Sequence, residues 1–306
     1  MREALVLGVT ASRLQDPGLA SGITGARLAP ELTMCALHRA LAATAAMPGS
    51  VISHATAAIV WDLPLPRRLQ ERDAVHVTHA AVMTRTTAAR RRGVVGHLAA
   101  LPATDVTERH GVRVTTPARV FLDLAGCLTP DELTALGDAM VCWHPDPRGF
   151  EPAEPLVRLA VLQRRVDEVR HVRGIRTARA ALDLVRVGAD SEPETRLRLM
   201  LVRAGLPEPE LNMWIHVGGR RQVVEPDLGY RQQRISVQYD GIHHGNPRQH
   251  ALDIERADLT AAAGWLEVRV AAADLTSLVV FPALGVVPRA VAKIAAALSA
   301  RGWSPR

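Results

Sequence analysis

Hydrophobic and polar positions in the first half of the chain alternate over short stretches, which predicts short strands separated by short helices. The predicted strands are Val75–Thr78, Val94–Leu98 and Val112–Thr115. The predicted helices are Leu32–Met47, a small-residue helix that starts after Ser53 and ends before Leu63, and a helix from Pro117 to Leu124. This mixture predicts a small α+β domain over residues 1–150. The first thirty residues carry no pattern to which we assign a function.

The middle of the chain carries a composition typical of a connection between domains. Residues 142–155 are rich in proline, glycine and charge, which predicts a linker. Residues 156–187 then place apolar side chains at helical spacing, which predicts one or two helices. We therefore expect a helical linker over residues 151–190 and a second domain over residues 191–306.

The second domain begins with a strong helix-start signal. Ser191 is a favourable N-cap, Pro193 suits the first turn, and Glu194 follows the cap by three residues, as in a capping box. A helix to Ala204 follows, and Gly205 ends it. Strands are predicted at Met213–Val217, Val223–Leu228 and Ile235–Asp240, a helix at Arg248–Ala263, and a strand at Gly264–Val270. The order is helix, three antiparallel strands, helix, strand.

Side-chain alternation along these strands predicts an acidic face. Glu225 and Asp227 share one side of the second strand, and Gln238 and Asp240 share one side of the third. If the two polar faces coincide, they form a patch of oxygen ligands that suits a hard divalent cation such as Mg²⁺. An ordinary solvated face of the sheet explains the same pattern, and spacing alone does not decide between the two.

Composition and charge narrow the function classes. The formal net charge is +6, which favours a polyanionic partner such as nucleic acid. The single lysine, Lys293, lies in an alanine-rich helical pattern, which argues against a phosphate-binding loop or a Schiff-base enzyme. Cys35, Cys127 and Cys142 are isolated, so we expect small buried hydrophobes rather than a disulfide framework or a zinc site. No apolar run approaches the ~18 residues of a membrane span, and a cytoplasmic location is the expectation.

Several motifs in the second half resemble the nuclease-like domains related to very-short-patch repair endonucleases, within the PD-(D/E)xK superfamily. The stretches are Glu194–Arg198, Pro226–Leu228, Val237–Gly241 with His244 behind it, Asp253–Arg256, and Gly264-Trp265 before Val268–Val270. The resemblance covers residues 174–275. It implies an α/β (α+β) fold with a restriction-endonuclease-like mixed sheet flanked by helices.

The resemblance also implies roles for individual residues. Asp227 corresponds to the central metal ligand, and Glu194 to a helix-borne carboxylate that reaches Mg²⁺ or Mn²⁺ directly or through water. Asp240, which we also expect as a ligand, stands where the superfamily often keeps a lysine. Gln238 stands where the related subgroup usually has glutamate, and its amide oxygen brings no charge. His244 is a candidate general acid or base, with a plain surface histidine as the alternative.

Basic and polar side chains outside this set are candidates for contact with nucleic acid. They are Arg248, Arg256, His243, Arg90, Arg91 and Arg92. Arg256 has a simpler alternative, an ion pair with Asp253 one helical turn away. The Arg90–Arg92 cluster likewise suits a solvated turn between strands.

The first half is similar to the N-terminal region of AbiEi-type antitoxin-like proteins, through the segments 53–58, 63–66 and 114–119. That family normally begins with a winged-helix module, and too little chain precedes Leu32 to hold one.

The nuclease-like motifs and the acidic face together predict a Mg²⁺-dependent DNA endonuclease. The alternative is a degenerate nuclease fold that binds nucleic acid, a toxin or another protein as an antitoxin-like regulator.

Overall fold

The structure of the chain is a computed structural model. It describes residues 6, 8–16, 18–19, 23–27, 35–47, 49–70, 75–80, 90–99, 101–144, 154–218, 222–241 and 247–304. The chain divides into two compact units. Unit 1 comprises Met1–Leu136 and Val157–Asp183, and unit 2 comprises Gly137–Leu156 and Leu184–Arg306. Each unit is therefore assembled from two separate stretches of sequence.

Unit 1 combines short helices with one mixed sheet. Its helices are α1 (Ala11–Leu14), α2 (Ala36–Ala46), α3 (His54–Val60), α4 (Arg67–Gln70), α5 (Pro117–Leu124), the first part of α6 (Pro130–Val141), α7 (Leu159–Glu168) and most of α8 (Ile175–Leu184). Its strands are β1 (Val51–Ile52), β2 (Val75–Ala80), β3 (Arg90–Arg91), β4 (Val94–Ala99), β5 (Val106–Arg109) and β6 (Val112–Thr115). The predicted strands, the helix after Ser53 and the helix from Pro117 to Leu124 are confirmed, with small shifts at their ends. Residues 32–34 of the predicted helix Leu32–Met47 lie outside the described residues, and the rest of that stretch forms α2.

The described strands of unit 1 lie in the order β3-β4-β2-β1-β6-β5. Strand β1 pairs antiparallel with β2 and parallel with β6, so the sheet is mixed. Helix α3 packs against α5 and β2, and α2 packs against α3. Ile52, Val114 and Phe121 are fully or almost fully buried in this core. Pro117 stands at the start of α5, where its missing N–H costs no intrahelical hydrogen bond.

Unit 2 contains the remaining elements. They are the last turn of α6, the strands β7 (Ile215–Val217), β8 (Gln222–Val224), β9 (Leu228–Tyr230), β10 (Ile235–Asp240), β11 (Leu266–Ala271), β12 (Leu278–Phe281) and β13 (Gly285–Pro288), and the helices α9 (Glu192–Arg203), α10 (Pro247–Ala262) and α11 (Arg289–Ala300). Helices α9 and α11 enclose an apolar core with the inner face of β10, which contributes Ile235 and Val237. Lys293 lies on α11, as the sequence predicts, and donates to Asp274.

The start of α9 has the predicted cap. The backbone N–H of Glu194 points to Oγ of Ser191 at 3.4 Å, and the Ser191 hydroxyl donates to Oε1 of Glu194 at 2.7 Å. The backbone N–H of Asp190 donates to Oε2 of Glu194 at 2.9 Å. These bonds hold the Glu194 carboxylate close to the helix N-terminus, with both oxygens used.

The central sheet of unit 2 has the order β11-β10-β9, with β9 antiparallel and β11 parallel to β10. Helix α10 supplies the crossover that parallel strands require. The prediction of one strand over Val223–Leu228 is wrong. The chain forms β8, which pairs with β7, and then β9, which pairs with β10, and Pro226 lies in the break. Proline has no backbone N–H to donate to a neighbouring strand, so the strand pairing is interrupted at Pro226.

The mixture of helices and sheets in both units confirms the α/β (α+β) class. Among the residues that the structure describes, no helix combines the length and apolar character needed to cross a membrane.

Candidate functional site

Asp227 lies directly before β9, beside the middle of β10. Leu228 pairs with Val237 across the two strands, which sets Asp227 opposite Gln238. Nε2 of Gln238 donates to Oδ1 of Asp227 at 2.6 Å, and the backbone N–H of Tyr239 donates to Oδ2 at 2.6 Å. Both carboxylate oxygens of Asp227 therefore accept hydrogen bonds from β10. The predicted proximity of Asp227 and Gln238 is present, although the continuous strand from which we argued it is not.

Glu194 is the second buried carboxyl group of this site. Its residue is 9% exposed. Burial raises the pKa of Glu194 to about 7, and repulsion from the nearby Asp227 and Asp190 carboxylates adds to the rise, while its hydrogen bonds from Ser191 and Asp190 oppose it. The Asp227 carboxylate is thus near enough to affect the charge of Glu194.

Asp227 is affected in the same direction. Burial raises the pKa of Asp227 to about 6, and repulsion from Asp190 and Asp240 contributes, while the Tyr239 N–H and the positive charge of Arg256 act in the opposite direction. A buried carboxylate in a negatively charged surrounding is stabilised by a proton or by a cation.

The donors at this position suit a weakly held cation. Glu194 and Asp227 offer carboxylate oxygens, the ligands that Mg²⁺ and Mn²⁺ prefer. Oε1 of Gln238 is buried and has no hydrogen-bond partner among the described residues, so one further oxygen is available within the same cluster. The amide turns its NH₂ toward Asp227, because an oxygen 2.6 Å from a carboxylate oxygen would be repelled. Because its amide is neutral, Gln238 would add no negative charge to a cation site formed by Asp227 and Glu194.

Asp240 and Arg256 make other contacts. Oδ2 of Asp240 lies 3.8 Å from Nη1 of Arg269, and both side chains are 40% exposed. Nη2 of Arg256 lies 3.7 Å from Oδ1 of Asp253, which fits the helix-surface pairing that we considered as the alternative to phosphate binding. Arg256 is nevertheless close enough to lower the pKa of Asp227.

The remaining predicted residues are only partly covered. His243 and His244 lie outside the described residues, and so do the side chains of Arg248, Arg90 and Arg91. The backbone of Arg90 and Arg91 forms β3, and Arg92 is exposed in the turn that follows. Their contact with nucleic acid remains a prediction.

A second cluster in unit 2 was missed by the sequence analysis. Sγ of Cys142 lies 3.2 Å from Nε2 of His144 and 3.1 Å from Oδ1 of Asp190, and the last two atoms lie 2.7 Å apart. Nδ1 of His144 lies 2.8 Å from Oε1 of Glu225. The only local signal was the Cys-x-His spacing at residues 142–144, inside the segment that we predicted as a linker.

The burial expected for the cysteines is wrong. Cys35 and Cys127 are exposed, and Cys142 is half-buried. In the cluster, hydrogen bonds to Asp190, Cys142 and Glu225 raise the pKa of His144 to about 12. The hydrogen bond from His144 lowers the pKa of Asp190, whereas burial raises the pKa of the Cys142 thiol. The imidazole is therefore held between two carboxylates.

Unit 1 contains a separate histidine pair at the start of α3. The rings of His54 and His97 stack with centroids 3.6 Å apart and an interplanar angle of 13°. Nδ1 of His54 lies 2.9 Å from Oγ of Ser53. Burial lowers the pKa of His97, so the neutral ring is favoured in the fold. Ser53 and His54 belong to one of the segments on which the antitoxin-like resemblance rests.

Buried charges of unit 1 lie next to this pair. Arg119 on α5 bonds to Asp123 and to Asp105, and Arg165 on α7 also bonds to Asp105. Nδ1 of His54 lies 3.9 Å from Oδ2 of Asp123. This network ties α5 and α7 to the end of the sheet, and an ordinary structural role explains it.

Comparison with known protein families supports the antitoxin-like part of this picture. Residues 28–141 match the family described as AbiEi antitoxin C-terminal domain. The match covers the sheet of unit 1 and helices α2 to α6. It ends before the cluster at Cys142 and does not reach residues 174–275, so the nuclease-like resemblance rests on motifs alone.

Individual relatives add little about activity. Two uncharacterized proteins from two strains of Mycobacterium tuberculosis are each 30% identical to this chain over 115 residues. The matched segment is 37% of this chain and 42% of each relative, so the chain spans less than half the length of the curated relatives it matches. No solved structure matches the chain.

Proposed function

We propose that this chain is a cytoplasmic antitoxin-like regulatory protein, in which unit 1 is the antitoxin-type domain and unit 2 is a catalytically weakened nuclease-like domain that binds nucleic acid. The observation that carries the first part is the family match over residues 28–141, which falls almost entirely on unit 1. The net charge of +6 supports a nucleic-acid partner.

The geometry around Asp227 supports the weakened state of unit 2. The residue opposite Asp227 is Gln238, whose amide donates to Oδ1, and the backbone N–H of Tyr239 donates to Oδ2. Both oxygens of the Asp227 carboxylate therefore already accept hydrogen bonds. A neutral ligand in place of a carboxylate lowers the affinity for a hard cation. Binding without efficient cleavage is the function that this arrangement supports best.

The antitoxin part is tested by growth. The gene adjacent to this one would be expressed alone and together with this chain in the host. Growth arrest by the neighbour and rescue by this chain would support the proposal. The variant Phe121→Asp tests the role of unit 1, because it places a charge in the core of this unit and should abolish rescue. Rescue that persists with Phe121→Asp, or no rescue by the wild type, would contradict the assignment of unit 1.

The nucleic-acid part is tested by salt dependence. Fluorescence anisotropy with a labelled DNA duplex should show an affinity that falls steeply between low and moderate salt, because phosphate contacts release counterions. An affinity that does not change with salt would argue against a basic nucleic-acid surface.

A second candidate function is divalent-metal-dependent cleavage of DNA. The observation that favours it is the pair of buried carboxyl groups, Glu194 and Asp227: burial raises the pKa of both, and a cation would stabilise their ionised forms. Glu194, Asp227 and Gln238 would hold the ion, with Asp240 nearby. When bound, the ion would polarise the scissile phosphate and activate water. Arg256 carries a positive charge next to these carboxylates, where it can attract a phosphate.

Cleavage of supercoiled plasmid with added Mg²⁺ or Mn²⁺ tests this candidate. Activity that is lost with chelator and with Asp227→Ala would support an enzyme. Activity that survives Asp227→Ala would come from elsewhere, and absence of activity in the wild type would leave the regulatory proposal as the function of unit 2.

A further inference from the structure

We propose that Cys142, His144 and Asp190 form a binding site for Zn²⁺ in unit 2, with Glu225 as the residue that orients the histidine. The site is separate from the Mg²⁺ site considered for Asp227 and Glu194. All four residues belong to the same compact unit, although they lie up to 83 residues apart in sequence.

The three donor atoms converge on one point. Sγ of Cys142, Nε2 of His144 and Oδ1 of Asp190 form a triangle with sides of 3.2, 3.1 and 2.7 Å. Tetrahedral zinc with bonds of about 2.0–2.3 Å separates its ligands by roughly 3.3–3.6 Å. The triangle therefore needs to widen by about half an ångström to accept the ion.

The side chains are placed where such a change is easy. Cys142 and His144 follow the end of α6 at Val141, and Asp190 directly precedes the N-cap of α9. None of the three lies inside a helix or strand. Small rotations can thus bring the three donors to ligand distances without breaking a backbone ladder.

Glu225 completes the arrangement typical of a zinc-bound histidine. Its Oε1 lies 2.8 Å from Nδ1 of His144, where it accepts the hydrogen bond of the Nδ1–H. Nε2 faces Cys142 and Asp190, and zinc binding would displace the proton that Nε2 carries in the metal-free imidazolium. A carboxylate behind the ring fixes the tautomer and strengthens the ligand. Glu225 itself lies in the break between β8 and β9, which is what frees its side chain from the sheet.

The chemistry of the donors selects the ion. A thiolate and an imidazole favour Zn²⁺ over Mg²⁺, and a thiolate plus a carboxylate balance the charge of a divalent ion. Three protein ligands leave one position for water. The same Cys, His and Glu could form a nucleophile with its base, but Oδ1 of Asp190 lies 3.1 Å from Sγ, and its negative charge disfavours a thiolate that no metal ion compensates.

Metal analysis of the full chain, purified without chelator or an affinity tag that binds metal, tests the proposal. We expect about one zinc per chain, and the cobalt-substituted protein should show thiolate-to-cobalt charge-transfer absorption. Cys142→Ser should remove both the stoichiometric zinc and the charge-transfer band. Cys127→Ser is the matched control, since Cys127 is an exposed cysteine of unit 1.

Two further variants separate a ligand from an orienting residue. His144→Gln should abolish zinc binding, whereas His216→Gln on β7, an exposed histidine of the same unit, should not change it. Glu225→Gln should weaken zinc binding about 10–100-fold while keeping the charge-transfer band, as expected for a residue behind a ligand.

The wild type alone also decides the question if a variant fails to fold. Alkylation mapped by mass spectrometry should show that zinc protects Cys142, and that it leaves Cys35 and Cys127 reactive. Wild-type protein without zinc at equimolar supply would overturn the proposal. Zinc that persists in Cys142→Ser would also overturn it. So would equal alkylation of Cys142 in the presence of zinc and in the presence of chelator. Rapid alkylation without zinc protection would indicate the nucleophile instead.

Discussion

Nε2 of Gln238 lies 2.6 Å from Oδ1 of Asp227, so a neutral amide faces the central carboxylate of unit 2. The contact joins β10 to the residue that follows the break at Pro226, and it uses one of the two carboxylate oxygens that a cation would need. Without a metal, the Gln238 amide supplies a hydrogen bond to Asp227, and with a metal it would supply only a neutral oxygen ligand. The affinity of unit 2 for a cation therefore depends on this pair.

The first prediction concerns Gln238→Glu. Without metal, a carboxylate next to Asp227 and Glu194 adds like charge, so the free energy of unfolding should fall by about 1 kcal/mol or more at neutral pH. With Mg²⁺, the same change should tighten metal binding, measured by titration calorimetry, and raise any DNA cleavage.

Gln232→Glu is the matched control, since Gln232 is exposed between β9 and β10. It adds the same charge and should change neither stability nor metal binding appreciably. Metal binding that is equal in wild type and in Asp227→Ala would show that the cation does not use this position.

The second prediction concerns pH. The pKa of Glu194 is raised from 4.5 to about 7, so the folded chain binds this proton more tightly than the unfolded chain. The stabilisation is fully present below pH 4.5 and is lost as pH rises through about 7. The loss amounts to about 3 kcal/mol in the absence of divalent cations, at about 1.4 kcal/mol per pKa unit.

Glu194→Gln should flatten this part of the stability curve, measured by urea unfolding at several pH values, because glutamine keeps the capping interaction and carries no charge. Glu192 is exposed in the first turn of the same helix, so Glu192→Gln should leave the stability curve unchanged. A curve that stays equally steep in Glu194→Gln would place the titration elsewhere.

The third prediction concerns the buried ion pair of unit 2. Nη2 of Arg198 donates to Oδ2 of Asp138 at 2.8 Å, and both side chains are 1% exposed. Asp138→Ala should destabilise the protein by about 3–5 kcal/mol, because it removes the buried carboxylate and leaves the buried guanidinium with Glu208, whose Oε1 lies 3.3 Å from Nη1 and whose side chain is 40% exposed.

The double variant Asp138→Leu with Arg198→Leu should recover part of this loss, since it removes both charges. Arg196→Ala, on the exposed face of the same helix, should cost less than about 0.5 kcal/mol. Thermal unfolding measures all of these. A cost for Asp138→Ala as small as that for Arg196→Ala would refute the importance of the pair.

The fourth prediction concerns His97 in unit 1. Burial lowers its pKa below 6.5, so its contribution to stability is present above that value and is lost as pH falls through the lower folded pKa. Hydrogen exchange of the β4 amides should therefore become faster, relative to the intrinsic rate, between about pH 7 and pH 5.

His97→Phe keeps a flat ring against His54 and cannot be protonated, so it should remove this acid sensitivity. His171→Phe, an exposed histidine of the same unit, should keep it. Acid sensitivity that persists in His97→Phe would assign it to another group.

Local signals in the sequence determined most of the elements. The cap at Ser191, the start of α5 at Pro117 and the alternation in β10 depend on residues close in sequence, and these elements stand where they were predicted. Local pattern placed Asp227 and Gln238 on polar faces but left open whether those faces coincide, and the pairing of Leu228 with Val237 decided it. The break at Pro226 did not follow from local pattern, because the choice between one strand and two depends on which partners the ladder finds.

Only the tertiary structure decided which distant side chains meet. Cys142 and His144 lie in a segment without periodicity, and Asp190 and Glu225 join them from two other connections between elements. The sequence determined that these side chains can ligate a metal, because that depends on residue type. Their convergence depends on the path of the chain between them, which is set by the packing of the whole unit. The Cys-x-His spacing of residues 142–144 does not indicate that Asp190 and Glu225 join them.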